Sequence, residues 1–325
     1  MIGDPFFICG NDRSGTTMLR LILDNGPEVA IPPESMFLTD FDANEVPGPQ
    51  MMERVWTHPK VKLWDLGGGP PALPAGLDAQ EARRFIFAAP FWAYAVKHGK
   101  PRWGDKTPHY VHHVDRLLDI WPQARFVVLV RDGRDVALSL KKMPFGPNNA
   151  WAAAQWWARG IRAGQAAAQA HPAQVKQFRY EDLVEDPERG VRSVCEFLGL
   201  RFDPRMLALE AADPAKIVPD QRSWFPGLFD GVHHRAAGRW RHDMTPRDQA
   251  IFASLADAEL QELGYEVTPT RAPSLSDRQV RRLHLHNEFM RNVNFLKLRL
   301  VQERGREFRF ALQRRLQDST RRSAK

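Results

Sequence analysis

The sequence predicts an α/β fold, a doubly wound parallel sheet flanked by helices, with a helical extension at its C-terminal end. Three observations carry this expectation. Phe6-Phe7-Ile8-Cys9, Phe126-Val127-Val128-Leu129-Val130 and Val175-Lys176-Gln177-Phe178 read as strands, and the first two are apolar throughout, as strands inside a parallel sheet are. Segments with helical spacing of apolar residues separate them, which is the alternation that builds βαβ units. The basic residues gather at one end: residues 271–325 carry a net charge of +10 against +7 for the whole chain, leaving the first 270 at −3.

Taken in order, the first strand ends at Gly10 and is followed by Asn11-Asp12-Arg13-Ser14-Gly15. Met18, Leu19, Ile22 and Leu23 then repeat with helical spacing over Thr16 to Asn25. Gly26-Pro27 is expected to stop that helix, with Gly26 as a C′ glycine. A short Val29–Ile31 strand follows. Thr39 to Leu77 is rich in Pro and Gly, including Gly67-Gly68-Gly69-Pro70-Pro71. It is expected to be irregular or mobile, a candidate lid or substrate-facing region. Helices are expected from Gln80 to Lys97 and from Val111 to Ile120, ahead of the 126–130 strand. Arg131-Asp132-Gly133-Arg134 leads into a helix through Leu140, and an Ala- and Trp-rich helix spans about Asn149 to Ala170. After the 175–178 strand, Pro187 pre-organises the first turn of a helix that ends at Gly199. Thr245 is a candidate N-cap for the helix ending near Leu263-Gly264. The chain divides into a domain over 1–270 and a basic helical tail over 271–325. In the tail, Leu283, Phe289, Val293, Leu296 and Leu300 interleave with arginines.

Composition excludes several classes. A hydrophobic content of 43% and a charged content of 26% are ordinary for a soluble globular protein. The near-balanced first 270 residues give no electrostatic case for nucleic acid as a partner. The tail is expected to pack on the domain or on a second subunit as a homodimer contact, with membrane-surface contact open because basic and large apolar residues are mixed. Cys9 and Cys195 are too few for a disulfide framework and read as small core residues. No apolar run approaches the roughly 20 residues needed to span a bilayer. With no signal-like stretch before the first strand, a reducing, cytoplasmic setting is expected.

Gly10-Asn-Asp-Arg-Ser-Gly15-Thr16-Thr17 has the glycine spacing of a P-loop, set between a strand and a helix as that motif requires. The backbone N–H groups of such a loop, with the positive end of the following helix, make an anion site. A nucleotide triphosphatase places Lys before the final Ser/Thr; here that position is Thr16, so ATP chemistry is poorly supported. Arg13 instead supplies a fixed cation for a sulfate or phosphate group. Arg131 directly follows a buried strand, where open α/β sheets place their ligands. Ser139, eight positions on, adds a hydroxyl; together they form a candidate second phosphate site. Alone, Arg-Asp-Gly-Arg-Asp reads equally as a turn with a capping aspartate.

Arg13-Ser14-Gly15-Thr16-Thr17, Val130-Arg131-Asp132-Gly133-Arg134 with Ser139, and Arg179-Tyr180-Glu181-Asp182-Leu183 together resemble the family of sulfotransferases that use 3′-phosphoadenosine-5′-phosphosulfate (PAPS). The resemblance runs from residue 6 to about 265, except over Thr39 to Leu77. It implies that PAPS is the co-substrate and PAP, the desulfonated nucleotide, the product. By the same resemblance, Arg13 through Thr17 bind the 5′-phosphosulfate, Arg131 and Ser139 bind the 3′-phosphate, and Tyr180 lies near the nucleotide. Gly238-Arg239-Trp240 resembles the family's later Gly-x-Trp element, implying nucleotide contacts from Arg239 and Trp240. His233-His234-Arg235 stands where the cytosolic branch has its Arg-Lys-Gly phosphate grip.

Sulfuryl transfer needs a cradle for the leaving phosphate, cations where charge develops, and a base for the acceptor hydroxyl. The chain resembles the protein-tyrosine sulfotransferase branch more than the cytosolic one, and that resemblance implies Glu34 as the candidate catalytic base. A buried carboxylate in this position is expected to have a raised pKa. Lys106, in Gly104-Asp105-Lys106-Thr107-Pro108, matches the family's Lys-Thr-Pro element and is implied to stabilise charge beside Arg13. Asp105 is a second candidate base. No metal is required. The pairs His112-His113 and His233-His234, and His284-x-His286, lack a matching ligand set, and Trp151, Trp156 and Trp157 read as core or groove-lining residues. The acceptor stays open among small-molecule, glycan, lipid and peptide hydroxyls. Two rivals remain: a P-loop-type kinase using ATP, and a non-catalytic binding protein that keeps the nucleotide fold.

Overall fold

The computed structural model describes residues 4–143, 145–218, 222, 224–225, 227–232, 234–267 and 275–297. His233, the domain boundary at Arg271 and the tail beyond 297, Leu300 included, lie outside the described residues.

The chain opens with β1 (Phe6–Gly10), α1 (Thr16–Asn25) and β2 (Val29–Ala30), then α2 (Pro49–Trp56), α3 (Pro59–Lys62) and α4 (Ala79–Lys97). It continues through β3 (Arg102–Lys106), α5 (Val114–Ile120), β4 (Arg125–Val130), α6 (Gly133–Leu140), α7 (Ala150–Ala170) and β5 (Val175–Arg179). Last come α8 (Tyr180–Glu185), α9 (Pro187–Leu198), α10 (Trp240–Asp243) and α11 (Pro246–Glu262). The five strands form one sheet in the order β2-β3-β1-β4-β5, with every pairing parallel.

Side chains alternate between the faces of a strand, and the two faces here carry different helices. Phe7, Cys9, Phe126, Val128 and Val130 pack with residues of α4, α5, α7 and α11. Phe6, Ile8, Val127 and Leu129 pack with residues of α1, α8 and α9. Both faces are covered, as a doubly wound sheet requires. The carboxyl ends of β1, β3 and β4 lie side by side, ending at Gly10, Lys106 and Val130. Such a crevice is where open α/β sheets place ligands.

Three expectations change. Thr39 to Leu77 is irregular only in part: α2 and α3 lie within it, and Met51, Met52, Val55, Val61 and Trp64 are buried in the core, with the Trp64 ring 5.0 Å from Phe91 of α4. Residues 42–48 and 65–77 carry no helix or strand and are mostly exposed. Gly26 stops α1 in extended conformation, φ −69° and ψ 163°, rather than as a left-handed C′ residue. Its smallness serves packing instead, since a Cβ there would lie 2.3 Å from Met206 Cε. The helix expected from Val111 begins as a 3-10 turn over Pro108–His112 and becomes α-helical at Val114.

Residues 277–297 are helical and dock on the loop between α6 and α7. Asn148 N–H donates to Asn287 Oδ1 at 2.9 Å, and Asn149 Nδ2 donates to the Leu283 carbonyl at 2.8 Å. Asn294 Nδ2 donates to Asn148 Oδ1 at 3.0 Å. Cys9 and Cys195 are free and buried. Burial pushes the Cys9 thiol far up and that of Cys195 to about 11.

Candidate active site

The loop between β1 and α1 is shaped by close approach. Gly10, at φ +135°, passes so near β4 that a Cβ would lie 2.4 Å from the Leu129 carbonyl oxygen. Arg13 takes a left-handed φ of 69°. Gly15, at φ +95°, lies against the Tyr180 ring, where a Cβ would come within 2.5 Å. It is the N-cap of α1 without a side-chain cap, so the helix's first N–H groups stay available for an anion. Asn11 Nδ2 donates to the Trp157 carbonyl at 3.0 Å, tying the loop to α7.

The loop borders a cavity of about 800 Å³. Arg13, Gly15, Thr16, Thr17, Arg131, Ser139, Tyr180, Arg239 and Glu34 all line it. Arg13 Nε donates to Ser139 Oγ at 2.9 Å, its Nη2 to the Trp224 carbonyl at 2.6 Å, and its guanidinium lies 4.7 Å from the Phe225 ring centroid. Arg131 Nη1 donates to the Arg13 carbonyl at 3.1 Å and its guanidinium lies 4.5 Å from the Tyr180 centroid. Burial and the neighbouring Arg131 lower the Arg13 pKa. Four segments thus converge on one cationic wall.

Three sequence-predicted residues, Ser14, Trp240 and Lys106, do not line the cavity. Ser14 is buried, its Oγ without a partner among the described residues. Trp240 is buried beneath the Arg134 guanidinium, 3.4 Å from its ring centroid. From the Gly-x-Trp element Arg239 lines the cavity, while the Gly238 and Trp240 N–H groups donate to the cavity residue Asp135 at 2.6 and 2.9 Å. Asp132 does cap α6, accepting from Arg134 N–H at 2.9 Å. His234 and Arg235 are exposed, and the adjoining Ala236 carbonyl accepts from Arg131.

At the other end of the cavity stands Glu34, its side chain 30% exposed and ion-paired to Lys106. Lys106 lies beneath the lining, 4% exposed, and also donates to Thr17 Oγ1 at 3.2 Å. The expected rise in the Glu34 pKa is not what the structure shows. Burial pushes it up, but the Lys106 charge and hydrogen bond, with Lys60 and Arg20 behind, hold it below the ordinary value. Burial in turn lowers the Lys106 pKa, with Glu34 opposing. Burial does raise Asp105, the neighbour of Lys106, to about 7, moderated by hydroxyl donors from Ser35 and Thr107. It lies fully buried and off the cavity surface.

Sequence reasoning passed over four charged residues of this cavity, Asp12, Lys60, Asp135 and Lys142. Asp12 sits beside Arg13 with no hydrogen bond or ion pair among the described residues, and burial together with Glu34 raises it to about 6. Asp135 repeats the aspartate of Arg-Asp-Gly-Arg-Asp, which was a signal. Lys60 comes from α3, in a segment whose sequence gave none. Away from the cavity, His113 Nε2 lies 3.1 Å from His109 Nε2. Among the described residues no group of three or more His, Cys, Asp or Glu is arranged to hold a metal ion.

The model of the Sulfotransferase family matches residues 5–204. Over 277 residues the chain is 26% identical to Protein-tyrosine sulfotransferase 1 of Danio rerio, spanning 80% of this chain and 72% of that protein. Over 291 residues it is 27% identical to Nodulation protein NoeE of Sinorhizobium fredii, spanning 80% of this chain and 65% of that one. Among solved structures, the sulfotransferase domain of the Synechococcus PCC 7002 olefin synthase has a TM-score of 0.58 at 24% identity. That match covers 82% of this chain and 96% of the domain, and it shows a shared fold.

Proposed function

The chain belongs to the sulfotransferase family, and from that premise we propose that it takes its sulfuryl group from PAPS, gives it to a hydroxyl acceptor and releases PAP. One observation carries this reading: Arg13, Arg131, Ser139 and Tyr180 line the same cavity as the ion-paired Glu34. The residues fit an anionic nucleotide. Two guanidinium groups and a hydroxyl meet at a helix N-terminus, and the buried Nε of the cavity-lining Arg131 has no partner among the described residues. A buried polar atom left unpaired costs stability, so a ligand or water that pairs it is favoured.

The donor supplies an electrophilic sulfur and a phosphate leaving group. In the reading proposed here, the loop N–H groups, Arg13, Thr16 and Thr17 hold the 5′ end, while Arg131 and Ser139 hold the 3′-phosphate. Lys106 exchanges partners: drawn toward the developing charge on the leaving oxygen, it releases the Glu34 carboxylate. Glu34 takes the acceptor hydroxyl's proton as that oxygen bonds to sulfur and the bond from sulfur to the phosphate oxygen breaks. The acceptor class stays as open as the sequence left it: small-molecule, glycan, lipid or peptide hydroxyl.

Labelled PAPS incubated with a panel of hydroxyl acceptors tests this, with wild type and Glu34→Ala side by side. Transfer by wild type and a loss of at least about 100-fold in kcat for the variant are expected. Normal transfer by Glu34→Ala removes the base assignment. Calorimetric preference for ATP over PAP would overturn the donor assignment in favour of a kinase.

A further inference from the structure

Directly beneath Glu34 runs a buried chain of hydroxyls that the chemistry above does not use. Tyr110 Oη accepts from Leu38 N–H at 3.1 Å and lies 2.9 Å from Ser35 Oγ. Ser35 Oγ donates to Asp105 Oδ2 at 2.9 Å. Thr107 Oγ1 accepts from Ser35 N–H at 3.2 Å and donates to Asp105 Oδ1 at 3.4 Å. With Asp105 ionised, each proton has one direction: Leu38 to Tyr110, Tyr110 to Ser35, and Ser35 and Thr107 to the carboxylate. Ser35, Asp105, Tyr110 and Thr107 are at most 1% exposed, so water does not compete for these bonds.

The arrangement has a particular form. Glu34 is bonded to Lys106, and its neighbour Ser35 is bonded to Asp105, the neighbour of Lys106. Two consecutive residues of one segment are cross-linked to two consecutive residues at the end of β3. Successive side chains of a strand point to opposite faces, so the two cross-links grip the Glu34 segment from both sides of the sheet edge. Donor binding as proposed above would draw Lys106 away and break the first link. The second stays, because its members are sealed from solvent.

We propose that Ser35, Asp105 and Tyr110 are positioning residues: they hold the Glu34 carboxylate at the acceptor hydroxyl while Lys106 serves the donor. This rests on Glu34 being the base, and a double-mutant cycle separates the two claims. Ser35→Ala is expected to lower kcat about tenfold, the scale of a small misplacement of a catalytic group, while PAP affinity stays within about twofold. In a Glu34→Gln background the same change should cost nothing further, because the group it positions is already gone. An equal loss in both backgrounds, no loss in either, or a fall in PAP affinity matching the fall in kcat would each overturn the proposal. Full activity of Glu34→Gln alone instead overturns the base assignment on which it rests. Should Ser35→Ala fail to fold, as judged by circular dichroism, Tyr110→Phe runs the same cycle, since it removes one hydroxyl and leaves the ring.

Discussion

At Gly15 the phosphate loop touches Tyr180, and two constraints fall on one atom position. A Cβ there would meet the aromatic ring at 2.5 Å, and φ of +95° is strained for any L side chain. Gly15→Ala should therefore push the loop away from Tyr180 and Arg131 together and weaken PAP binding at least about tenfold, a change calorimetry would read. Glycine spacing, Arg13 and Thr16 made this loop legible in the sequence, because the geometry of a phosphate loop is local. The protonation of Glu34 was not legible. Its direction is set by Lys106, 72 positions away, and the pairing exists only once β2 and β3 lie side by side. Asp12 was hidden for the same reason: nothing in its neighbours says that Glu34 will face it.

Helix α7 shows how an element reaches into the site without lining it. Gly160 leaves space for Asn11, whose Oδ1 would lie 2.2 Å from a Cβ at that position. An alanine in mid-helix gains up to about 1 kcal/mol in propensity over glycine. Displacing Asn11 from the Trp157 carbonyl leaves a buried amide unpaired, at about 1–3 kcal/mol, and overpacking adds about as much again. The loss is the larger, so Gly160→Ala should lower Tm and loosen the loop at Asn11. A variant as stable as wild type would contradict this. Strands β1 and β4 were readable because both of their faces are apolar. Strand β3, Arg-Trp-Gly-Asp-Lys, was not, because its polar residues are the site and Gly104 is small to fit the Phe6 ring, 2.5 Å from where a Cβ would be. The 39–77 segment misled for a different reason: Met51, Met52 and Val55 share the buried face of a helix only eight residues long, too short a periodic run to stand out amid Pro and Gly.

For the whole molecule, titration and the tail give two expectations. Burial lifts Asp105 from an ordinary 3.8 to about 7. Between those values the folded chain keeps a proton that the unfolded chain has lost, so this group's contribution to stability falls as pH rises through that window. Asp105→Asn removes the dependence, and its Tm deficit relative to wild type should be smaller at about pH 8 than at about pH 5. An unchanged deficit would show that Asp105 ionises at its ordinary pKa. Deleting residues 274–325 should leave PAP affinity intact, because among the described residues Arg13, Arg131 and Ser139 bond to none of that helix. It should alter acceptor KM, since Asn148 and Asn149 anchor the helix in the loop that carries the cavity residues Met143 and Phe145. Loss of PAP binding in a folded truncation would refute the first half.

The two buried thiols have a practical bearing on how this protein can be watched at work. Neither Cys9 nor Cys195 is exposed, and burial keeps both in the unreactive protonated form. The chain therefore offers alkylating dyes no native background. A single Met36→Cys or Phe145→Cys, at exposed cavity-lining positions, would carry one fluorophore at the mouth. Its emission would report acceptor arrival and product departure in real time, before the acceptor itself has a name.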